Sequence, residues 1–138
     1  MSDFVVHNQL LSDCAIVGDA DLCRVLLMND ARFPWLILVP RISGLRDFHE
    51  VPSEHRPSLF VEIESASNAV KELIDADKIN VAALGNQVPQ LHVHVIGRLT
   101  NDVAWPGPVW GVGTSVSYDS EVQQETIAFV GAAMGLLS

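Results

Sequence analysis

Positive charge is what this chain has least of. Eight lysines and arginines stand against seventeen aspartates and glutamates, a net charge of −9. A protein that grips long nucleic acid needs a basic face to displace counterions from the phosphate backbone, so that class is excluded. A small anionic ligand is not, because a few backbone N–H groups and imidazoles suffice for one phosphate group. Cysteine is scarce as well. Cys14 and Cys23 are too few and too far apart for a zinc knuckle or a redox pair, and a reducing, cytoplasmic setting is expected. The longest apolar run, Trp35 to Val39, is strand length, far short of the ~18 residues of a membrane span. Met1-Ser2-Asp3-Phe4 has neither the basic start nor the long apolar stretch of a signal peptide. No internal repeat, low-complexity tract or domain linker is visible, and no membrane association is expected.

What is present is apolar bulk. Of the 138 residues 49% are hydrophobic and 18% charged, which suits one domain around one core, residues 1–138, with enough apolar surface left over for a subunit interface. Periodicity then orders the chain. Phe4, Val5, Val6, Leu10 and Leu11 suit a short helix or arm, with His7 as an exposed or capping side chain. Cys14–Asp19 and Asp21–Met28 read as two strands joined tightly enough for a hairpin. After a loop ending at Pro34, Trp35–Arg41 is a near-continuously apolar and therefore central strand, closed by Pro40.

Ser53 is a candidate N-cap for a helix in which Leu59, Phe60, Ile63, Ala66, Ala69, Val70, Leu73 and Ile74 recur at three and four. Glu62, Glu64, Lys71, Glu72 and Asp75 form its opposite face, and 75–77 ends it. Ile79–Leu84 and Gln90–Leu99 are two more strands, linked through Gly85-Asn86-Gln87-Val88-Pro89 and so expected to pair antiparallel. A loop with Trp105 and Trp110 leads to a second helix, 119–137, packing through Val122, Ile127, Phe129, Val130, Ala133 and Met134. The sum is an α+β fold: a five-stranded antiparallel sheet, one long helix and one C-terminal helix, with the helices on one side.

The run Gln90-Leu91-His92-Val93-His94-Val95-Ile96 carries the chemistry. With period-two alternation Gln90, His92 and His94 share one strand face. Amide and imidazole groups in a row are costly to bury unless each is satisfied. Three uses compete. The histidines could be core residues with satisfied nitrogens. They could chelate a metal, although Arg98 stands where a further carboxylate would suit, no later histidine exists, and nothing places His49 or His55 nearby; both read as structural or solvated. Or one imidazole could attack phosphorus in line, forming a phosphoramidate that water cleaves. That use needs a fixed tautomer and donors for the non-bridging oxygens, which the Gly-Asn-Gln turn could supply.

The same run resembles the motif of the histidine triad (HIT) family, three histidines alternating with apolar residues and followed by two more apolar ones. Ile79–Gly85, the Asn86-Gln87 turn and Arg98 are similar to the family's strand, phosphate loop and post-motif arginine. Leu27-Met28-Asn29, Trp35–Pro40 and Phe48-His49 are similar to its nucleoside-side strand, central strand and helix lead-in. The resemblance spans about residues 20–100. It implies a homodimer of HIT-like domains, without cofactor or metal, that hydrolyses or transfers nucleotides at a phosphate ester, anhydride or amide bond. It further implies His92 as nucleophile, His94 as a phosphate-binding histidine, Asn29 as the ribose contact and Asn86 with Gln87 in the phosphate loop.

Two positions depart from the pattern. Gln90 stands in place of the first histidine, and Trp35 stands where many members carry a histidine supporting that first one. The two positions are expected to touch. A glutamine can hold a phosphate or leaving group but cannot protonate it, so anhydrides should be handled better than phosphoramidates. The Trp105–Trp110 loop has no counterpart in this comparison: it reads as a proline-stiffened surface loop packing one tryptophan inward, or as a lid or stacking wall over the site.

Overall fold

The computed structural model describes residues 3–138. Five strands form one antiparallel sheet in the order β1-β2-β3-β5-β4: β1 Cys14–Asp19, β2 Cys23–Met28, β3 Trp35–Pro40, β4 Lys78–Ala82 and β5 Val93–Arg98. The expected hairpin β1–β2 and the antiparallel pair β4–β5 are both present. β3 is buried at all six positions, as an apolar run without polar alternation demands.

Alternation sends the strand side chains to two different cores. Val25, Leu27, Leu36, Leu38, Val93 and Val95 meet the helices α2 (Arg56–Ile74) and α3 (Ser120–Met134) through Leu59, Ala66, Val70 and Val130. Full burial of each such aliphatic side chain contributes about 1.5–3 kcal/mol. Leu26, Trp35, Ile37, Val39 and Ile96 face the other way. There they meet Val6, Leu10, Phe33 and Val109, from the N-terminal arm, the helix α1 (Asn8–Asp13) and the loop after β5. The two long helices thus share one side of the sheet, and His94, in step with Ile96, lies on the opposite side.

Gly97 lets α2 approach β5. A Cβ there would stand 2.5 Å from Val70 Cγ1 and 3.2 Å from Ile74 Cδ1, so any side chain would force the layers apart. His7 does cap α1, its Nδ1 accepting the Gln9 N–H at 3.0 Å.

Several expectations are corrected. Ser53 does not cap the long helix; residues Ser53–His55 form a separate 3₁₀ turn, and α2 starts at Arg56 with Pro57 in its first turn. Phe60 points to solvent and Glu62 inward, the reverse of their expected faces. The Glu62 carboxylate accepts the Leu22 and Cys23 N–H groups, each at 2.8 Å, and so anchors the start of β2. In α3, Val122, Phe129 and Ala133 are exposed, and the packing falls on Val130, Ile127 and Met134. β5 begins at Val93, so Gln90 and His92 precede the strand.

Candidate functional site

β5 enters the sheet between β3 and β4 and carries His94 in register with Ile37 on one side and Ala82 on the other. The extended lead-in before β5 carries His92. The two imidazole rings lie 5.0 Å apart at an interplanar angle of 68°, and both residues are buried. They open onto a cavity of about 390 Å³ whose rim includes Asn86 and Gln87 and whose walls include Met28, Trp35 and Trp110. The structure therefore brings together His92, His94, Asn86 and Gln87.

Each ring has one committed nitrogen. His92 Nδ1 sits 2.7 Å from the Gln90 carbonyl oxygen. A carbonyl only accepts, so Nδ1 carries a proton, and in the neutral ring the lone pair is on Nε2. His94 Nδ1 receives a hydrogen bond from Trp35 Nε1 at 3.0 Å. Burial, with the neighbouring His92 adding to it, pushes the His94 imidazole down to about 4, so this ring is neutral near pH 7. Neither Nε2 has a partner among the described residues, and neither is sealed, since Arg41 Nε is there the only buried, unpartnered side-chain polar atom.

The loop 83–90 is built to present donors. Gly85 takes φ +77°, a conformation glycine adopts without strain, and turns the chain before Asn86. Among the described residues the backbone N–H groups of Asn86 and Gln87 make no hydrogen bond within the protein, and both residues are exposed.

Gln90 is placed elsewhere. Its Nε2 donates to the Val5 carbonyl at 2.9 Å and its Oε1 accepts the His7 N–H at 2.8 Å. The side chain is a clamp on the N-terminal arm and does not line the histidine cavity. Among the described residues no hydrogen bond joins Gln90 and Trp35: Trp35 bonds His94, and Gln90 bonds the arm.

Asn29 lines an adjoining cavity of about 410 Å³ that shares Asp13, Met28, Trp35, Trp110 and Gly111 with the first. Its Oδ1 accepts the Tyr118 N–H at 2.9 Å, and its Nδ2 makes only a long contact, 3.4 Å, to Ser117 Oγ. Next to it Asp30 and Arg32 form a largely buried ion pair at 2.8 Å, and the Arg32 guanidinium also reaches the Val112 carbonyl. These bonds hold residues 112–118 against the end of β2.

Asp13 is a cavity residue that pattern reasoning missed, and Trp110 belongs to the loop expected either to pack inward or to wall the site. Trp110 stands edge-on to His94 at 5.1 Å and to Trp35 at 6.0 Å, so the Trp105–Trp110 loop does supply a wall of the site. Its anchor is Arg98, which pairs with Asp102 at 2.8 Å, donates to Asn80 Oδ1 at 3.0 Å and lies between the Phe33 and Trp105 rings. That pairing holds the Asp102 carboxyl down to about 2. With its guanidinium so engaged, Arg98 supports the loop and lies outside the histidine cavity. His49 and His55 also lie outside it, and among the described residues no group of three or more His, Cys, Asp or Glu side chains is placed to hold a metal ion.

An antiparallel five-stranded sheet that sets a His-x-His pair beside a glycine-turned donor loop defines a histidine-triad type of α+β domain. The HIT domain family model matches residues 9–101, and the chain belongs to that family. Among solved structures it is similar to a histidine triad protein of Marinobacter aquaeolei at 47% identity, covering 96% of each chain with a TM-score of 0.92. It is similar to one of Bradyrhizobium japonicum at 41% identity, covering 95% of this chain and 98% of that one, TM-score 0.92. A histidine triad protein of Sinorhizobium meliloti matches at 38% identity over 96% and 98%, TM-score 0.93. A comparison with curated protein sequences finds no match. Among the described residues no helix is long and apolar enough to cross a membrane.

Proposed function

We propose that this single HIT domain, residues 1–138, hydrolyses or transfers a nucleotide at its phosphate through a nucleotidyl-histidine intermediate on His92. The observation that carries the reading is the 2.7 Å contact from His92 Nδ1 to the Gln90 carbonyl, which leaves the Nε2 lone pair free at the cavity. In the first step Nε2 attacks phosphorus, the N–P bond forms and the bond to the leaving group breaks, its electron pair departing with that group. In the second, water or another acceptor attacks phosphorus, the electron pair of the N–P bond returns to His92, and the proton of the attacking group passes to solvent. His94 and the N–H groups of Asn86 and Gln87 bind the non-bridging oxygens, where charge accumulates. Asn29, with its weakly engaged Nδ2, meets the nucleoside side. Gln90 stands in for the first triad histidine and gives no proton to the leaving group.

The proposal extends to a homodimer in the cytoplasm. β4 is a sheet edge with Val81 exposed, which supports pairing with a second copy, and both cysteines are free, which supports a reducing compartment. Analytical ultracentrifugation reads the mass.

The chemistry is tested by mixing the protein with a dinucleoside polyphosphate, quenching in base and measuring intact mass. A one-nucleotide adduct is expected in the wild type and absent in His92→Ala. Calorimetric binding with neither adduct nor product would overturn the catalytic reading in favour of a nucleotide-binding protein.

A further inference from the structure

We propose that Trp35 is a positioning residue that fixes His94 as an Nε2–H donor, so that the two neighbouring imidazoles present opposite groups to one cavity: a lone pair from His92 and an N–H from His94. The inference deepens the reading of His92 as nucleophile and rests on it for its catalytic meaning, though not for its structural test.

The indole nitrogen of tryptophan donates and cannot accept. At 3.0 Å from Trp35 Nε1, His94 Nδ1 must therefore offer its lone pair. A proton on Nδ1, in the other neutral tautomer or in the imidazolium, would set two N–H groups head to head and break a buried bond. The low proton affinity that burial gives this ring acts in the same direction. A histidine at position 35 would impose no such rule, because imidazole can donate or accept; tryptophan removes the choice.

The indole is itself held. Trp35 is the first residue of β3, in register with Ile96 of β5, and it is buried against the edge of Trp110. Trp110 also stands edge-on to His94, so the ring sits between its hydrogen-bond donor and an aromatic wall. The remaining titratable groups at the cavity are His92 and Asp13, and neither is bonded to His94 among the described residues.

The consequence is a division of labour. His92 is set as Nδ1–H by a backbone carbonyl and His94 as Nε2–H by an indole. His94 can stabilise a phosphate oxygen but cannot act as an acid, since losing its single proton would leave an imidazolate. A nucleophile and a fixed donor thus arise from identical side chains two residues apart, through their second partners alone.

The test is nuclear magnetic resonance on protein with 15N-labelled histidine and tryptophan, at pH 7 and without ligand. Expected are the Nε2–H pattern of ring shifts for His94, the Nδ1–H pattern for His92, and a through-hydrogen-bond coupling between Trp35 Nε1 and His94 Nδ1. An Nδ1–H pattern at His94 in the wild type overturns the proposal, and this readout needs no variant to fold. In Trp35→Phe, which keeps an aromatic ring without the donor, His94 should become a mixture of tautomers. kcat should fall at least about tenfold with KM changed less than about threefold, as loss of a group acting in the transition state requires. An unchanged His94 tautomer in that variant likewise overturns it. If the wild type forms no nucleotidyl adduct, the proposed function fails while the tautomer measurement still decides the role of Trp35.

Discussion

The side chain of Gln90 is joined to the backbone of Val5 and His7 by two hydrogen bonds, 2.9 and 2.8 Å long, across more than eighty residues of sequence. The Gln90 amide therefore serves as a fastener for the N-terminal arm. The arm brings Val6 and Leu10 into the core on the histidine side of the sheet, and Leu10 reaches the cavity itself.

Gln90→Ala should release the arm. Two part-exposed hydrogen bonds contribute about 1–2 kcal/mol together, a loss that denaturant melts resolve. The sharper readout is amide exchange at His7, whose N–H loses its acceptor and should exchange faster than in the wild type. Unchanged protection at His7 would mean that the apolar contacts of Val6 and Leu10 hold the arm unaided.

Leaving-group preference follows from the same placement. With Gln90 turned to the arm and His94 neutral, no histidine-derived acid stands ready for an amine leaving group, which departs poorly without a proton. A phosphate leaving group departs unaided. A dinucleoside polyphosphate should thus be cleaved faster than a nucleoside phosphoramidate by roughly 10²-fold or more, the lower range of what a positioned acid supplies. Steady-state kinetics on the two substrates would decide it, and faster phosphoramidate cleavage would sink the idea. Gln90→His should help the phosphoramidate more than the anhydride.

Stability should carry the signature of His94. Its folded proton affinity lies near pH 4, against 6.5 for an ordinary histidine. Below 6.5 the unfolded chain binds a proton that the folded one refuses, so this residue makes stability fall as pH drops from about 6.5 to 4 and adds no further change below that. The full effect is on the order of 3 kcal/mol. His94→Asn keeps an acceptor for the Trp35 indole and removes the titration. Its melts across that window should show a shallower slope than the wild type, and parallel slopes would assign the pH dependence to other groups.

Periodicity carried most of the fold. The all-apolar run of β3, the short link of the β1–β2 hairpin and the three-four spacing of α2 are local signals, and each of these elements stands where they place it to within a few residues. The His-x-His pair and the Asn86-Gln87 loop were legible for the same reason, being contiguous in sequence and converging on one cavity. The rest depended on neighbours distant in sequence. Nothing near Gln90 announces that an arm eighty residues upstream will occupy its amide. Which of its two readings the Trp105–Trp110 loop takes depends on the Arg98–Asp102 pair that holds it. Gly97 breaks an apolar strand for a reason that exists only once α2 lies 2.5 Å from its missing Cβ.

Glu62 makes that point measurable. Helical spacing puts its carboxylate on a charged, solvent-facing stripe, yet it is 7% exposed and accepts two backbone N–H groups at the start of β2. Those two groups precede the first ladder bonds of the strand, and without the carboxylate they are buried donors facing no acceptor. Each such group costs about 1–3 kcal/mol, so Glu62→Ala should destabilise the protein by about 2–5 kcal/mol, far more than a surface glutamate would. Glu62→Gln retains one oxygen but turns an NH2 toward the second donor, and should fall between the two. Glu64→Ala, one residue pair along and exposed, should stay within about 0.5 kcal/mol of the wild type. Urea unfolding of the three variants orders them, and equal midpoints for the two alanine substitutions would show that water satisfies Leu22 and Cys23 as well as the carboxylate does.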